Sequence, residues 1–178
     1  MDFGVRLLTI GHGTRSAGEL VETLRQAGAQ TLVDVRRFPG SKRNPQFNQQ
    51  ALARTLADGG IAYRHAVELG GRRSGEPGEE RFRCIRVAAF RSYAARMALP
   101  TWQQALAAAL DEPGPSFMCA ETDWRRCHRR LIADFLTARG HEVIHLTRPE
   151  QEEAHALSQG AEVHLGRLYL CGELVARR

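Results

Sequence analysis

The sequence predicts an α/β fold: a compact, Rossmann-like, mostly parallel sheet flanked by helices, with a small C-terminal extension. Two observations carry this reading. Short apolar runs alternate with segments of helical period from Val5 to Leu146. Strands alternating with helices imply parallel strands covered on both faces. The composition, 43% hydrophobic and 25% charged over 178 residues, suits a chain that buries a core without staples. It excludes disordered, collagen-like and purely coiled-coil chains. No apolar run nears the roughly 20 residues of a membrane span.

Residues 5–11 read as a buried strand, and Gly11-His12-Gly13-Thr14-Arg15 as the loop after it. Ser16 with Glu19 three residues on is a capping-box spacing. It opens a helix through Gln26 that Gly28 stops. Thr31–Val35 is a second strand, and a basic loop leads from it to a helix over Gln49–Ala57. Ile61–His65 is a third strand, and Leu69–Glu80 a long loop of the kind that often carries function. Arg83–Met97 reads as a helix burying Phe90, Tyr93, Ala94 and Met97, ended by Pro100. Thr101 caps a helix over Trp102–Leu110. Ser116–Ala120 is a strand, Arg126–Ala138 a helix and Glu142–Leu146 a strand. Residues 1–148 form the α/β domain on this reading. Residues 149–178 are an extension, with Glu162–Leu165 and Gly166–Leu170 as a hairpin or edge strand.

Of the 25 basic residues 24 are arginine, the exception being Lys42. A GC-rich source explains much of that bias, but position picks out a subset. Arg36, Arg37, Lys42 and Arg43 form one cluster, Arg72 to Arg96 a second, and Arg125, Arg126, Arg129 and Arg130 a third. Guanidinium binds phosphate and carboxylate bidentately. Four irregularly spaced cysteines and an opening segment without signal-peptide pattern lead to the expectation of reduced thiols in a cytoplasm.

Open α/β sheets bind ligands beyond the carboxyl ends of their strands. Those ends hold Gly11–Arg15, Asp34–Phe38, Glu68–Arg73 and Cys119–His128. The loop of Gly11, Gly13, Thr14 and Arg15 before a helix suits an anion cradle, or a tight turn with a cap. His12, Asp34, Glu121 and His128 are acid–base candidates. Cys119 is a candidate nucleophile at a helix N-terminus, or else a small buried hydrophobe. Cys119 and Arg125 have a phosphatase-like C-x5-R spacing, without that loop's glycines. Zinc on Cys119, Cys127 and His128 is the weaker reading. The ligands are not spaced as in structural sites, and adjacent Cys and His seldom point at one ion. No metal or cofactor is therefore assigned. Phe38, Phe47 and Trp124 beside basic loops could stack bases.

TIGHGTRS, LVDVRRFPGSKRNPQFN, LGGRR, FRSYAARM and MCAETDWRRCHRRLIA, in this order, resemble the bacterial and archaeal domain of unknown function 488 family over residues 8–146. Typical members have Ser where this chain has Gly13. The resemblance implies a compact α/β domain and no established reaction. Its matching positions add Asn44, Phe47 and Tyr93 as substrate contacts, and Arg129 beside Arg15, Arg36 and Arg72 as anion binders. The expected function is an enzyme acting on a phosphorylated, nucleotide or nucleic-acid substrate at this edge. The alternatives are a non-catalytic nucleic-acid-binding module and a thiol-based redox or sulfur-transfer protein using Cys119. No membrane partner is expected.

Overall fold

A computed structural model describes residues 4–176. The expected alternation is present: β1 (Arg6–Gly11), α1 (Ala17–Gln26), β2 (Thr31–Asp34), α2 (Gln49–Asp58), β3 (Ala62–His65), α3 (Ala88–Arg96), α4 (Pro100–Leu110), β4 (Pro115–Cys119), α5 (Arg129–Ala138) and β5 (Glu142–Arg148). These five strands are parallel, in the order β3-β2-β4-β1-β5. The extension adds β6 (Gln151–Ala154), antiparallel on the β5 edge. It also forms a separate antiparallel sheet of β7 (Ala161–His164), β8 (Arg167–Leu170) and β9 (Glu173–Leu174). Arg177 and Arg178 lie outside the described residues. None of the helices described is long and apolar enough to cross a membrane.

The helices bury the faces their period predicts, except that Phe90 of α3 is only half-buried. Leu20, Val21 and Leu24 of α1 pack with Leu52 and Leu56 of α2 on one side of the sheet. Tyr93, Trp102, Leu106, Leu131 and Phe135 fill the other side, joined by Leu168, Leu170 and Val175 of the extension. Ser16 and Glu19 form the expected capping box.

Three helix starts differ from expectation. Residues 83–87 are not helical, because Cys84 is tied to Cys171 and Arg91 Nη1 donates to the carbonyls of Ile85 and Arg86. Pro100 begins α4 at its first turn, where a missing N–H costs nothing, instead of ending α3. Trp124–Arg126 forms its own 3-10 turn, capped by Asp123, so α5 starts only at Arg129. The expectation of four reduced thiols is also corrected. The small C-terminal sheet packs against the segment before α3, and Cys84 and Cys171 form a disulfide with Cα atoms 5.6 Å apart. Cys119 and Cys127 are free thiols. The loop over 69–80 is tethered by Arg96, which pairs with Glu68 and Glu76.

Candidate functional site

β1 and β4 are neighbours whose following connections leave in opposite directions. One runs through α1 to β2, the other through α5 to β5, on opposite faces of the sheet. Such a switch point opens a crevice at the carboxyl edge. A cleft of about 520 Å³ lies there. Arg36, Arg37, Arg43, Arg72 and Arg126 line it, with Glu121 as the one carboxylate among its lining residues. Phe38 stands in its wall, 61% exposed.

Behind one wall Asp34 and Arg36 form a buried, two-pronged ion pair, Nε to Oδ1 at 2.9 Å and Nη2 to Oδ2 at 2.6 Å. Asp34 also accepts from the Arg36 backbone N–H and from Tyr63 Oη. Burial opposes the Arg36 charge, but the Asp34 hydrogen bonds and charge outweigh it and raise its pKa. Burial first, then the Asp34 charge, raises the pKa of Tyr63. The remaining arm of Arg36 donates to His12 Nε2 at 3.3 Å, while His12 Nδ1–H donates to the Gly13 carbonyl. The imidazole stacks on Phe47 with ring centroids 4.2 Å apart. His12 is thus a neutral, fixed acceptor facing the cleft.

At the other wall Cys119, Cys127 and His128 converge, with Sγ, Sγ and Nδ1 all within 4.8 Å of one another. His128 Nε2–H donates to the Val35 carbonyl at 3.1 Å, which leaves the Nδ1 lone pair toward the thiols. The convergence follows from backbone geometry. Cys127 is extended (φ −116°, ψ 151°) and His128 helical (φ −61°, ψ −17°), so consecutive side chains turn to one point. Burial opposes a Cys127 thiolate, but the hydrogen bond with Cys119, His128 and Arg129 outweigh it and hold its pKa well below normal. Cys119 is held well above normal, first by Cys127 and then by burial.

Beneath the cleft a one-way chain of hydrogen bonds runs through the interior. Arg129 Nη1 donates to Thr9 Oγ1, Thr9 to His145 Nδ1, His145 Nε2 to His155 Nδ1, and His155 Nε2 to Asp134 Oδ1. Trp124 stacks on His145 at 4.1 Å. Burial lowers the pKa of His12 to about 4; burial, with His155 next, lowers that of His145 to about 2. The unfolded chain therefore takes up protons near pH 6.5 that the folded chain refuses. Stability from these groups is full above that pH and is lost as pH falls from 6.5 through 4 for His12, and further still for His145. Each steepens the loss by up to about 1.4 kcal/mol per pH unit. Urea midpoints measured from pH 7 to 4.5 are expected to fall, and to fall less steeply in His12→Gln. Equal slopes in the two proteins would contradict this.

Of the expected site residues, His12, Gly13, Thr14, Arg36, Asn44, Arg72, Cys119, Glu121 and His128 line the cleft. The others do not. Gly11 is buried where a Cβ would lie 2.0 Å from the Glu121 carbonyl. The loop amides are spent inside the protein: His12 N–H donates to Cys119 and Gly13 N–H to Ala120. Glu19 takes the Ser16 N–H at the α1 cap, one of the donors an anion there would need. Gly13 has φ +52°, and a Cβ there would meet Thr122 Oγ1 at 2.2 Å. Arg15 turns to the Thr147 carbonyl, and Arg129 is interior. Asp34 holds Arg36 instead of serving as acid or base. Phe47 and Tyr93 are fully buried, one behind His12 and the other edge-on to His128, and so back the site without touching a ligand. Trp124 is buried too, and Arg125 pairs with Glu153 and Asp123, so the C-x5-R spacing builds no phosphate loop. The cleft arginines missing from the expected set are Arg37, Arg43 and Arg126. Their signal was the basic clustering in the same loops.

Fold and cleft together define a parallel α/β protein with a basic, thiol-bearing crevice at its switch point. The family model for a domain of unknown function, DUF488, matches residues 16–136, a narrower span than the motifs suggest. That is more than half of the chain, and the chain belongs to this family. No curated protein and no solved structure matches it.

Proposed function

We propose that the protein is an enzyme whose cleft binds a phosphate-bearing, nucleotide-like substrate, with Cys119, Cys127 and His128 at its reactive end. The observation that carries this is the lining: five arginines against a single carboxylate in a cleft of about 520 Å³. That size suits a small-molecule ligand. Asp34 neutralises Arg36, which leaves Arg37, Arg43, Arg72 and Arg126 to meet an anion through charge-assisted hydrogen bonds. The exposed Phe38 ring beside them offers a stacking face for a base. The same features fit a nucleic-acid strand, whose binding falls steeply with salt. A reducing cytoplasm is the setting this reading assumes, although the Cys84–Cys171 bridge is of a kind rare there.

Calorimetry at low salt with inorganic phosphate, a nucleoside triphosphate and a short single-stranded oligonucleotide separates these cases. The triphosphate is expected to bind. The Arg72→Ala/Arg126→Ala variant should bind it at least about tenfold more weakly, one charge-assisted bond's worth. Phe38→Ala should weaken the triphosphate and leave inorganic phosphate unchanged. Absence of binding by all three ligands would remove the proposal, and binding of the oligonucleotide alone would favour the nucleic-acid module.

A further inference from the structure

We infer that Cys119, Cys127 and His128 form a three-ligand site for zinc or a zinc-like divalent ion, with the fourth position open to the cleft. Four observations support it independently of the anion reading. First, the imidazole nitrogen stands from each sulfur at the separation of two corners of a coordination tetrahedron. With metal–sulfur and metal–nitrogen bonds of about 2.3 and 2.0–2.1 Å, a tetrahedral S···N edge is about 3.6 Å. His128 Nδ1 lies 3.6 Å from Cys127 Sγ and 3.8 Å from Cys119 Sγ. Second, the tautomer is fixed for ligation. The Val35 carbonyl takes the Nε2 proton, the usual support behind a ligating imidazole. Gly71 keeps space at the donor atom, since a Cβ there would come within 2.6 Å of Nδ1.

Third, positive charge and an N–H donor stand behind the two sulfurs. The Arg129 backbone N–H donates to Cys127 Sγ at 3.5 Å, at the N-terminus of the ten-residue α5. The Arg129 guanidinium is buried, with hydroxyl and carbonyl acceptors in place of a carboxylate. Two thiolates with a divalent ion leave no net charge of their own, so the cluster adds none to that interior. Fourth, all three ligands line the cleft, which leaves one side of the tetrahedron accessible. Three protein ligands with an open position is the catalytic arrangement, and a soft thiolate pair with imidazole selects zinc over magnesium or calcium. Binding takes both sulfurs as thiolates and releases whatever thiol proton they still share to solvent.

The test uses the full chain, kept reduced at Cys119 and Cys127 and stripped with a chelator. Titration with cobalt(II) is expected to saturate at one equivalent, with thiolate-to-cobalt charge transfer and the intense visible bands of a four-coordinate ion, and zinc should displace it. Cys119→Ser and His128→Gln should each lower affinity by at least the roughly 10–100-fold that loss of an outer partner costs. The Cys84→Ser/Cys171→Ser variant should still bind one equivalent. If the ligand variants do not fold, X-ray absorption of the zinc-loaded wild type should give two sulfurs, one imidazole nitrogen and one further light atom. A cobalt form without thiolate charge transfer, or a zinc shell without sulfur, overturns the site. A Cys119–Cys127 disulfide that forms in place of metal binding does so too. The role of the fourth position rests on the anion reading, and phosphate added to the cobalt form tests it. A changed visible spectrum supports phosphate there. An unchanged one leaves the metal site standing and counts against phosphate in the cleft.

Discussion

Asp34→Ala is expected to lower the free energy of unfolding by about 3–5 kcal/mol, the cost of stranding a buried charge. Arg36 would lose both arms of its ion pair and keep the long contact to His12 and its neighbour Tyr63. Only 6% of the side chain is exposed, at the cleft wall, so water replaces little of what is lost. The four donors to the Asp34 carboxylate also argue against a proton-shuttle role. The Arg36 amide, two guanidinium nitrogens and Tyr63 Oη already occupy its oxygens. Asp34→Leu combined with Arg36→Met should recover most of the loss, because a well-packed apolar pair can replace a buried ion pair. Guanidinium unfolding of the three proteins measures both effects. A single-variant cost below about 1 kcal/mol, the range of an exposed pair, would show that Arg36 is not buried as described.

Arg129→Met is expected to cost about 3–4 kcal/mol, from two charge-assisted hydrogen bonds, one of them to the buried Thr9 hydroxyl. Its guanidinium spans Thr9 on β1 and the Glu121 carbonyl after β4, at 3.0 and 2.5 Å. It also starts the chain that orders His145, His155 and Asp134. Arg129→Lys should not rescue it, since an ammonium lacks the planar fork that reaches both acceptors at once. Urea unfolding distinguishes the cases. Rescue by lysine would mean that charge alone, and not geometry, holds these loops.

The central strands were legible as short apolar runs between loop-forming residues, as in Thr31–Asp34 and Pro115–Cys119, whereas the polar β6, QEEA, gave no such signal and was not expected. Their parallel order alone puts His12, Arg36, Arg72, Cys119, Glu121 and His128 at one edge. Which arginines face outward was not legible. Arg126 and Arg129 are three residues apart, yet one lines the cleft and the other is interior, because the 3-10 turn ends between them. The Cys127–His128 convergence rests on one extended residue before a helical one, which no spacing rule encodes. The disulfide joins cysteines 87 positions apart and depends on where the extension folds back. Tyr93 and Phe47, which lie in the family-like motifs, support His128 and His12 from behind.

The strand order has a consequence for how the chain matures. β1 pairs only with β4 and β5, and β2 reaches β1 only through β4. During synthesis the first strand therefore waits without a ladder partner until residues 115–119 have emerged, and gains its second only at 142. Both cleft walls meet through that late insertion, so the crevice and the sheet interior are completed in the same event. Fragments ending before Pro115 would hold β2 and β3 together but leave β1 as an unpaired apolar segment, a form prone to association with other chains.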